Sequence, residues 1–319
     1  MKKFISLLLA LTLSLALISV VGCGKEDKNA IKIGILQVAT HSALDDAREG
    51  FEDTLKAWAK ENGKTITFDC QNANGDANNE LTMAEKIVAS KPNLVLGIST
   101  SSSRALANMT EDIPVLFTAV TDPVGEELIR NNVTGTSDIN PVGDQIQLIK
   151  DIVGDCKKIA FLYNSTENNS VMQFRLAQAK CTELGITLVE KTANDVSSIQ
   201  TVVESIDNSF DAVYVPTDNL MASNASLFCP ILHSKGIPVI AGEAGMCEDE
   251  ECLATLGINY YKLGVQTAQM AIKILNGESA KNIEFESYKD KNEFFINTTN
   301  AQILGLSQSI IDSLNAKYN

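Results

Sequence analysis

Short apolar runs alternate with helical patterns along the chain from residue 31 to about residue 275. The runs have the length of strands, and most stretches between them carry apolar residues at helical spacing over ten or more residues. Strands that alternate with such helices predict βαβ units and a mainly parallel sheet. The predicted strands of the first half are 31–36, 65–68, 94–98 and 115–117, and those of the second half are 158–163, 186–190, 212–215, 238–240 and 254–257.

The alternation restarts after the polar turn Gly135–Asp138, so the two halves share one pattern. We therefore predict an α/β fold of two doubly wound lobes with mainly parallel sheets joined by a hinge, which a length of 319 residues can supply. The chain should cross between the lobes near Thr136 and Gly257. The expected first lobe is 31–137 plus about 257–285, and the expected second lobe is 138–256 plus about 286–319.

The N-terminus has the pattern of an export signal rather than of a folded element. Lys2 and Lys3 precede an uncharged, mostly apolar run that ends at Gly22, and Cys23 and a polar stretch follow. The alternative is an uncleaved membrane anchor, because the run is nearly long enough to span a bilayer. The small residue before Cys23 favours cleavage after residue 22 and resembles the lipobox of bacterial lipoproteins. We therefore expect a signal peptide over 1–22, a lipidated Cys23 and a linker over 23–30.

Charge and histidine content exclude several classes of function. Lys and Arg number 26 against 40 Asp and Glu, which gives a formal net charge of −14. A surface this acidic argues against a nucleic-acid partner, because phosphate backbones require a basic face. His41 and His233 are the only histidines, which limits zinc sites and histidine-based triads. We expect no cofactor and no metal.

Six cysteines follow Cys23, and their spacing forms no dense disulfide framework. Cys70 and Cys229 lie in apolar segments, where buried free thiols are expected. Cys247 and Cys252 flank an acidic loop and could form a disulfide. A metal site there is the weaker alternative, because it needs two more soft ligands than the neighbourhood offers.

Small polar residues follow the predicted strands, at the edge where doubly wound sheets bind their ligands. We therefore expect ligand-binding residues at these strand ends and no catalytic residues. The candidates of the first half are Thr40, His41, Leu44, Asp45, Thr100, Ser101, Ala119, Thr121 and Asp122, and those of the second half are Tyr163, Asn164, Asn168, Asp218, Asn219 and Glu243.

The run Ser99–Ser103 joins a strand to a helix, where exposed N–H groups and the helix dipole favour an anion such as a carboxylate. An ordinary helix N-cap is an equal alternative. Asp218 and Glu243, from the other half, could attract an ammonium group, although each taken alone fits a solvated loop carboxylate. Together these features indicate a zwitterion held between the lobes.

Enzyme patterns are weaker. Asp45, Asp122, Asp218 and Glu243 could pair as acid and base, but no spacing fixes their separation, and nucleophile-elbow and phosphate-loop patterns are absent. His41 next to Ser42 does not make a triad. An exported hydrolase that acts on a sugar or peptide stays as the alternative. A transcription regulator is disfavoured, because the signal occupies the place of a DNA-binding helix-turn-helix.

Six motifs in order resemble the tryptophan/tyrosine-type substrate-binding lipoproteins of ABC transporters, from about residue 31 to residue 306. The motifs lie at 36–51, 117–124, 163–165, 215–219, 242–246 and 257–264. The resemblance implies a type I periplasmic-binding fold that closes on a small ligand and delivers it to an ABC permease in the membrane. It also implies an extracytoplasmic, lipid-anchored protein, which we expect to be a monomer.

The resemblance further implies roles for individual residues. In amino-acid binders of this fold a Ser/Thr strand end meets the ligand carboxylate, which here assigns Thr100 and Ser101. The ammonium would meet Ala119, Thr121 and either Asp218 or Glu243, and the leading ligand is an aromatic amino acid. The chain departs from the family pattern at Asn259, where Asp is usual, and in the pair Cys247 and Cys252.

Overall fold

A computed structural model describes residues 29–248 and 251–319. The signal peptide over 1–22 and the lipidated Cys23 therefore lie outside the described residues, as does most of the linker. Among the residues that are described, no helix is long and apolar enough to cross a membrane.

Two six-stranded sheets form the framework, and both are mainly parallel, which confirms the predicted α/β fold class. The strand β12 pairs antiparallel with β10, at the edge of the second sheet. The strands of the first sheet are β1 (Ala30–Gln37), β2 (Thr65–Asn72), β3 (Leu94–Ile98), β4 (Val115–Val120), β5 (Val133–Ser137) and β11 (Glu286–Ser287), and those of the second are β6 (Lys158–Tyr163), β7 (Thr187–Thr192), β8 (Ala212–Val215), β9 (Val239–Ala241), β10 (Ala254–Gly257) and β12 (Glu293–Ile296).

Helices cover the sheets, and a short 3₁₀ helix lies at Ala280–Asn282. The expected single helix over 219–235 is two helices, because the backbone leaves helical geometry at Asn224. The helices are α1 (Ser42–Glu61), α2 (Ala77–Ala89), α3 (Thr100–Met109), α4 (Val142–Val153), α5 (Asn168–Leu184), α6 (Val196–Glu204), α7 (Asn219–Ala222), α8 (Ala225–Ser234), α9 (Gly245–Glu248), α10 (Tyr260–Leu275), α11 (Thr298–Ile303) and α12 (Gln308–Tyr318).

The sequence predicts β3 and the first half of β4, because both strands are buried on both faces and the predicted segments 94–98 and 115–117 are therefore apolar runs. The edge strand β2 instead alternates between exposed and partly buried positions. Strand β5 was not predicted. Its residues are buried, but Thr, Gly and Ser make up most of it, so it lacks the apolar signature of a central strand.

The order of strands in each sheet fixes where a ligand can bind. In the first sheet β1 lies between β2 and β3, and in the second β6 lies between β7 and β8. This is the doubly wound order in which the connections reverse direction beside the first strand. A crevice opens at that point, outside the carboxyl ends of the strands, so each sheet offers one crevice.

The chain passes between the sheets three times. It leaves the first sheet after β5, leaves the second after β10, and passes from β11 of the first sheet to β12 of the second. Helix α10 packs against α1, and glycines allow the close approach: a Cβ on Gly50 would lie 2.1 Å from the carbonyl oxygen of Tyr261, and one on Gly264 would lie 2.0 Å from that of Ala47. The side chains of α10 accordingly join the core of the first sheet.

Candidate functional site

The carboxyl ends of both sheets border a narrow cavity of about 20 Å³, here called the inner cavity. In this closed arrangement the cavity has room for about one water molecule, so a ligand would have to move its walls apart. Eight of the residues expected from sequence line it, namely His41, Leu44, Thr100, Ala119, Thr121, Asp218, Asn219 and Glu243. Seven lining residues were not among the named candidates, namely Ala43, Ser99, Asp138, Asn169, Thr217, Ala222 and Tyr260, although Ser99 lies in the run expected to meet an anion.

A wider and more open cavity, here called the outer cavity, adjoins the inner one and shares Thr100, Asn169 and Asn219 with it. Among the other expected residues, Thr40, Ser101, Asn164 and Asn168 line only the outer cavity. The sequence therefore located residues around both cavities without separating one from the other.

Three expected residues line neither cavity. The Asp45 carboxylate accepts hydrogen bonds from Gln37 and from Arg48, at 2.9 Å and 3.2 Å. Asp122 accepts from the N–H of Gly125 at 2.9 Å and so closes a turn. The Tyr163 hydroxyl donates to Glu190, at 2.6 Å, while its ring packs in the core of the second sheet.

The beginning of α3 presents hydrogen-bond donors to the inner cavity. Ser99 precedes the helix with φ of 90°, and its side chain makes no capping bond. Its hydroxyl oxygen is buried and has no partner. The N–H groups of the first helical turn have no acceptors within the helix, and the dipole makes this end positive. The Ser101 hydroxyl is not available to the inner cavity, because it donates to Glu80 at 2.9 Å.

Asp138 lies just after β5, where the chain first leaves the first sheet, and it is the most informative residue that the sequence did not indicate. Its carboxylate accepts from the Thr121 hydroxyl at 3.1 Å and from the Tyr260 hydroxyl at 2.8 Å. Burial raises the pKa of Asp138 above its ordinary value, and these two hydrogen bonds oppose the rise. The network joins two of the three chain crossings beside the cavity.

The carboxylate of Asp218 is occupied by its own lobe. It accepts from the N–H of Asn164 at 2.7 Å, from the Ser170 hydroxyl at 2.7 Å, and from the N–H of Met221 at 2.9 Å. Burial, with the negative charge of Glu167 nearby, raises the pKa of Asp218 well above its ordinary value. This carboxylate fastens the ends of β6 and β8 to each other.

Glu243 has a similar position at the end of β9. Its carboxylate accepts from the N–H of Gly245 at 2.6 Å and from the N–H of Met246 at 3.1 Å, so it caps the short helix α9. With Asp138 and Asp218, it gives the inner cavity three carboxylates, and no Lys or Arg is among the described lining residues.

Contacts between the two sides of the cleft hold the inner cavity closed. His41 Nε2 lies 3.3 Å from Asn219 Oδ1, and the Ser223 hydroxyl donates to the carbonyl oxygen of Thr40 at 3.3 Å. Burial lowers the pKa of His41 to about 4, so this histidine is neutral at pH 7. A Cβ on Gly245 would lie 1.9 Å from the hydroxyl oxygen of Ser42 on the opposite side.

The arrangement suits binding better than catalysis. Asp45 and Asp122 lie away from the inner cavity, while Asp218 and Glu243 already accept hydrogen bonds from their own lobe. In the described parts of the chain, no group of three His, Cys, Asp or Glu side chains could hold a metal ion. The cavity offers hydrogen-bond donors at the beginning of α3 together with three carboxylates.

The chain matches the family model of ABC transporter substrate binding proteins over residues 32–314. It is 33% identical to the tyrosine-binding protein of Clostridioides difficile, over 99% of this chain and 96% of the relative. An ABC domain from Streptococcus pneumonia in complex with L-Trp is 32% identical, with a TM-score of 0.82 over 89% of this chain and 98% of the other. A ligand-free, open substrate-binding protein with adhesive properties from Clostridium difficile is 37% identical, with a TM-score of 0.67 over 87% and 96%.

The second structure is more similar in sequence but less similar in shape. The lobes of this chain are therefore arranged more as in the L-Trp complex than as in the open protein, which agrees with the contacts across the cleft. The hydrolase alternative finds no support in these relatives, because the matched family binds solutes and does not transform them. The chain belongs to the ABC transporter substrate-binding proteins, which capture a solute for a membrane importer.

Proposed function

We propose that this protein captures an aromatic α-amino acid in the inner cavity and delivers it to an ABC importer. One observation carries the proposal: three carboxylates and the N-terminus of α3 line the same cavity, and no Lys or Arg is among its described lining residues. A free α-amino acid has an anionic and a cationic group a few ångströms apart, so it can meet these donors and a carboxylate at the same time.

The ligand carboxylate is assigned to the beginning of α3. The buried Ser99 hydroxyl has no partner, and the N–H groups that follow it are free for an anion. Thr100 keeps the role expected from sequence. Ser101 acts through its backbone, because Glu80 already occupies its hydroxyl.

The ammonium group is assigned to Asp138, together with Thr121 and the backbone of Ala119. Asp138 is preferred to Asp218, which three donors of its own lobe already occupy. Glu243 lies in the same cavity and adds negative charge. An ammonium beside Asp138 would replace the solvation that burial removes from this carboxylate.

The side-chain pocket is assigned to His41, Leu44 and Tyr260, which give the cavity two flat rings and an aliphatic wall. A flat aromatic ligand fits such walls better than a sugar, which needs many hydrogen bonds to hydroxyl groups. The relatives that bind tyrosine or carry L-Trp support the same class of side chain.

The experiment compares amino acids with analogues that lack one charge. Protein stripped of ligand by unfolding and refolding is titrated calorimetrically with L-tyrosine, L-tryptophan and L-phenylalanine. Tyramine and tryptamine then test the carboxylate site, and the corresponding deaminated propionic acids test the ammonium site. Each missing charge should weaken binding at least tenfold, since a charge-assisted hydrogen bond contributes about 1.5–3 kcal/mol.

Two results would contradict the proposal. Binding of tyramine as tight as that of L-tyrosine would remove the carboxylate site, and binding of a sugar or purine with no response to any of the twenty amino acids would remove the zwitterion. Mass spectrometry of the solute released from freshly purified, denatured protein supplies an independent identification.

We also propose that the protein works outside the cytoplasm as a monomer anchored by lipid on Cys23. The signal-like N-terminus, the small residue before Cys23 and the role of the family support this proposal. Cys23→Ser should move the protein from the membrane fraction to the soluble fraction. A wild-type protein that keeps Met1, with a fractionation that Cys23→Ser does not change, would exclude lipidation.

We propose further that the lobes that close on the ligand are the two sheets with their helices, exchanging chain at the three crossings. Small-angle scattering should show a smaller radius of gyration with ligand than without it. Identical curves with and without a ligand that binds by calorimetry would exclude closure.

A further inference from the structure

Three cysteines lie in one of the two hydrophobic clusters that pack against the second sheet. Cys229, Cys247 and Cys252 are fully buried and belong to one apolar cluster. The other two buried cysteines, Cys156 and Cys181, belong to a different cluster on this sheet. Cys70, expected to be buried, is exposed on the edge strand β2. None of these six cysteines forms a disulfide in the structure.

The sulfur atoms of Cys229 and Cys252 are 3.0 Å apart. A disulfide bond is about 2.05 Å long, so a movement of about 1 Å would bring these atoms to bonding distance. Both thiols are packed among apolar side chains of α8, β8 and β9. The two cysteines therefore need a small side-chain adjustment rather than a rearrangement of the chain.

The backbone holds both cysteines in place. Cys229 lies in the middle of α8. The N–H of Cys252 donates to the carbonyl oxygen of Met246 at 2.7 Å, and the next N–H, of Leu253, donates to that of Val239 at 2.8 Å. From the other side, Asn300 donates to the carbonyl oxygen of Glu251 at 3.2 Å. The proximity of the sulfurs thus follows from the fold around them.

We propose that Cys229 and Cys252, whose sulfur atoms are 3.0 Å apart, form a disulfide in the exported protein. The pairing differs from the Cys247–Cys252 loop disulfide that the sequence spacing allows. It rests on the extracytoplasmic location, because disulfides persist outside the reducing cytoplasm, and does not depend on which ligand binds.

The bond would form by thiol–disulfide exchange. The thiolate of one cysteine attacks the disulfide of an external oxidant, either a thiol–disulfide oxidoreductase or glutathione disulfide, and forms a mixed disulfide. The second thiolate then displaces the remaining thiol of the oxidant. The cysteine pair loses two protons and two electrons, and the oxidant becomes two thiols. Burial raises the pKa of both cysteines, so little thiolate forms once the core is packed. The exchange should therefore take place during folding, before the core is packed.

The disulfide would fix one wall of the inner cavity. The chain between Cys229 and Cys252 includes β9, the strand end with Glu243, and α9. The segment after Cys252 enters β10, which leads to the second chain crossing. A bond between Cys229 and Cys252 would therefore connect this wall to α8 and limit local opening near the hinge.

The first experiment maps thiols in the full-length wild-type protein after export. The protein is alkylated in denaturant without reduction, digested, and analysed by mass spectrometry. We expect a linked pair of peptides that contain Cys229 and Cys252, with the remaining thiols alkylated, namely Cys70, Cys156, Cys181 and Cys247. Full alkylation of Cys229 and Cys252, in exported protein and in protein refolded with glutathione disulfide, would overturn the proposal. A link that includes Cys247 would also overturn it.

The second experiment compares melting temperatures with and without a reductant. Reduction should lower the melting temperature of the wild type by roughly 5–10 °C, as expected for a loop of this length in a chain of this size. Cys247→Ala should show the same decrease, and Cys252→Ala should show none. Cys181→Ala is the matched control for loss of a buried thiol. Equal responses of Cys247→Ala and Cys252→Ala would contradict the pairing, and if Cys252→Ala fails to fold, the peptide map of the wild type decides.

Discussion

The two walls of the inner cavity use their polar groups differently. On the wall formed by the first sheet, the Ser99 hydroxyl has no partner, and the N–H groups of the first turn of α3 have no acceptor within the helix. On the wall formed by the second sheet, Asp218 accepts three hydrogen bonds, and Glu243 accepts from two backbone N–H groups of its own lobe. The first wall therefore has polar groups available to a ligand. Much of the hydrogen-bonding capacity of the second wall is used to stabilise its own loops.

This difference suggests an order of events. A ligand can meet the donors at α3 and the carboxylate of Asp138 before the second wall arrives. The second wall then closes over it through contacts such as His41 with Asn219. Substitutions on the first wall should therefore change affinity, and those on the second should change stability or closure.

The largest effect is expected on the second wall. Asp218→Ala leaves three buried donors without an acceptor and should lower the free energy of unfolding by about 3 kcal/mol. Urea unfolding followed by circular dichroism measures the change. Asp218→Asn, which keeps an acceptor oxygen, is the control and should lose less. An Asp218→Ala protein as stable as wild type but unable to bind ligand would reverse the roles of the two walls.

The next effect is on affinity, at the crossing beside the first wall. Asp138→Asn keeps an acceptor oxygen for one of the two hydroxyls, of Thr121 and Tyr260, and removes the negative charge, so an amino acid should bind about 10- to 100-fold more weakly. Calorimetry with the ligand identified by mass spectrometry measures this change. Asp122 follows the neighbouring strand β4 and lies outside the cavity, so Asp122→Asn should bind as wild type does. Equal affinities of Asp138→Asn and wild type would show that Asp138 does not bind the ligand ammonium, which would then be assigned to Glu243 or Asp218.

A smaller effect should come from the contact between the walls. The Cβ of Gly245→Ala would lie 1.9 Å from the Ser42 hydroxyl oxygen, so the lobes would have to stay slightly apart. We expect affinity to fall about tenfold, because a conformational preference of about 1.4 kcal/mol for the open state has that effect. The double variant with Ser42→Gly restores the space and should recover most of the affinity. Failure of this rescue would show that Gly245 acts within its own lobe.

The smallest effect is expected from pH. The two histidines differ in position, since His41 lies at the contact between the walls and His233 lies inside the second lobe. Burial lowers the pKa of both to about 4 from 6.5. A histidine with a depressed pKa gives its full stabilisation above pH 6.5 and loses it progressively as the pH falls toward 4. His233 is buried in the second lobe, so His233→Gln should reduce the loss of stability between pH 6.5 and 5 by about 1 kcal/mol. Thermal melts at several pH values measure this difference.

His41 lies at the contact between the walls, so its protonation should oppose closure rather than folding. Ligand affinity should decrease as the pH falls from 6.5 toward 4, and His41→Gln should show a flatter profile. The measurement is a series of calorimetric titrations over that range. If His41→Gln changes the pH profile of unfolding and leaves that of binding unaltered, this histidine belongs with His233 and the comparison of the walls is wrong.

Much of the fold followed from the sequence, because burial on both faces makes central parallel strands into apolar runs that are easy to recognise. Strand β5 was not predicted because its polar side chains are buried through hydrogen bonds to other buried hydroxyls, so the strand is not an apolar run. The Thr136 hydroxyl lies 2.6 Å from that of Thr267 and 3.1 Å from that of Thr118. A Cβ on Gly135 would lie 2.0 Å from the carbonyl oxygen of Phe117, so this strand also packs unusually close to β4.

The same omission hid part of the site. Asp138 follows β5. Because the sequence does not predict this strand, its carboxyl end is not recognised as a possible binding position, and Asp138 is not selected. The polar residues at 134–138 just before a new helix were the available signal. Tyr260 was visible only as the first residue of a helix, since nothing in sequence indicates that its hydroxyl reaches Asp138, 122 positions earlier.

By itself the sequence determined the two repeated α/β halves, the polar strand ends and the acidic character of the cavity, because each depends on local periodicity or on residue type. Only the tertiary structure decided which carboxylates are occupied by their own lobe, which hydroxyls stay unpartnered and which buried sulfurs lie close together. Those properties depend on distances between segments far apart in the chain. The folded backbone sets such distances, and no local pattern encodes them.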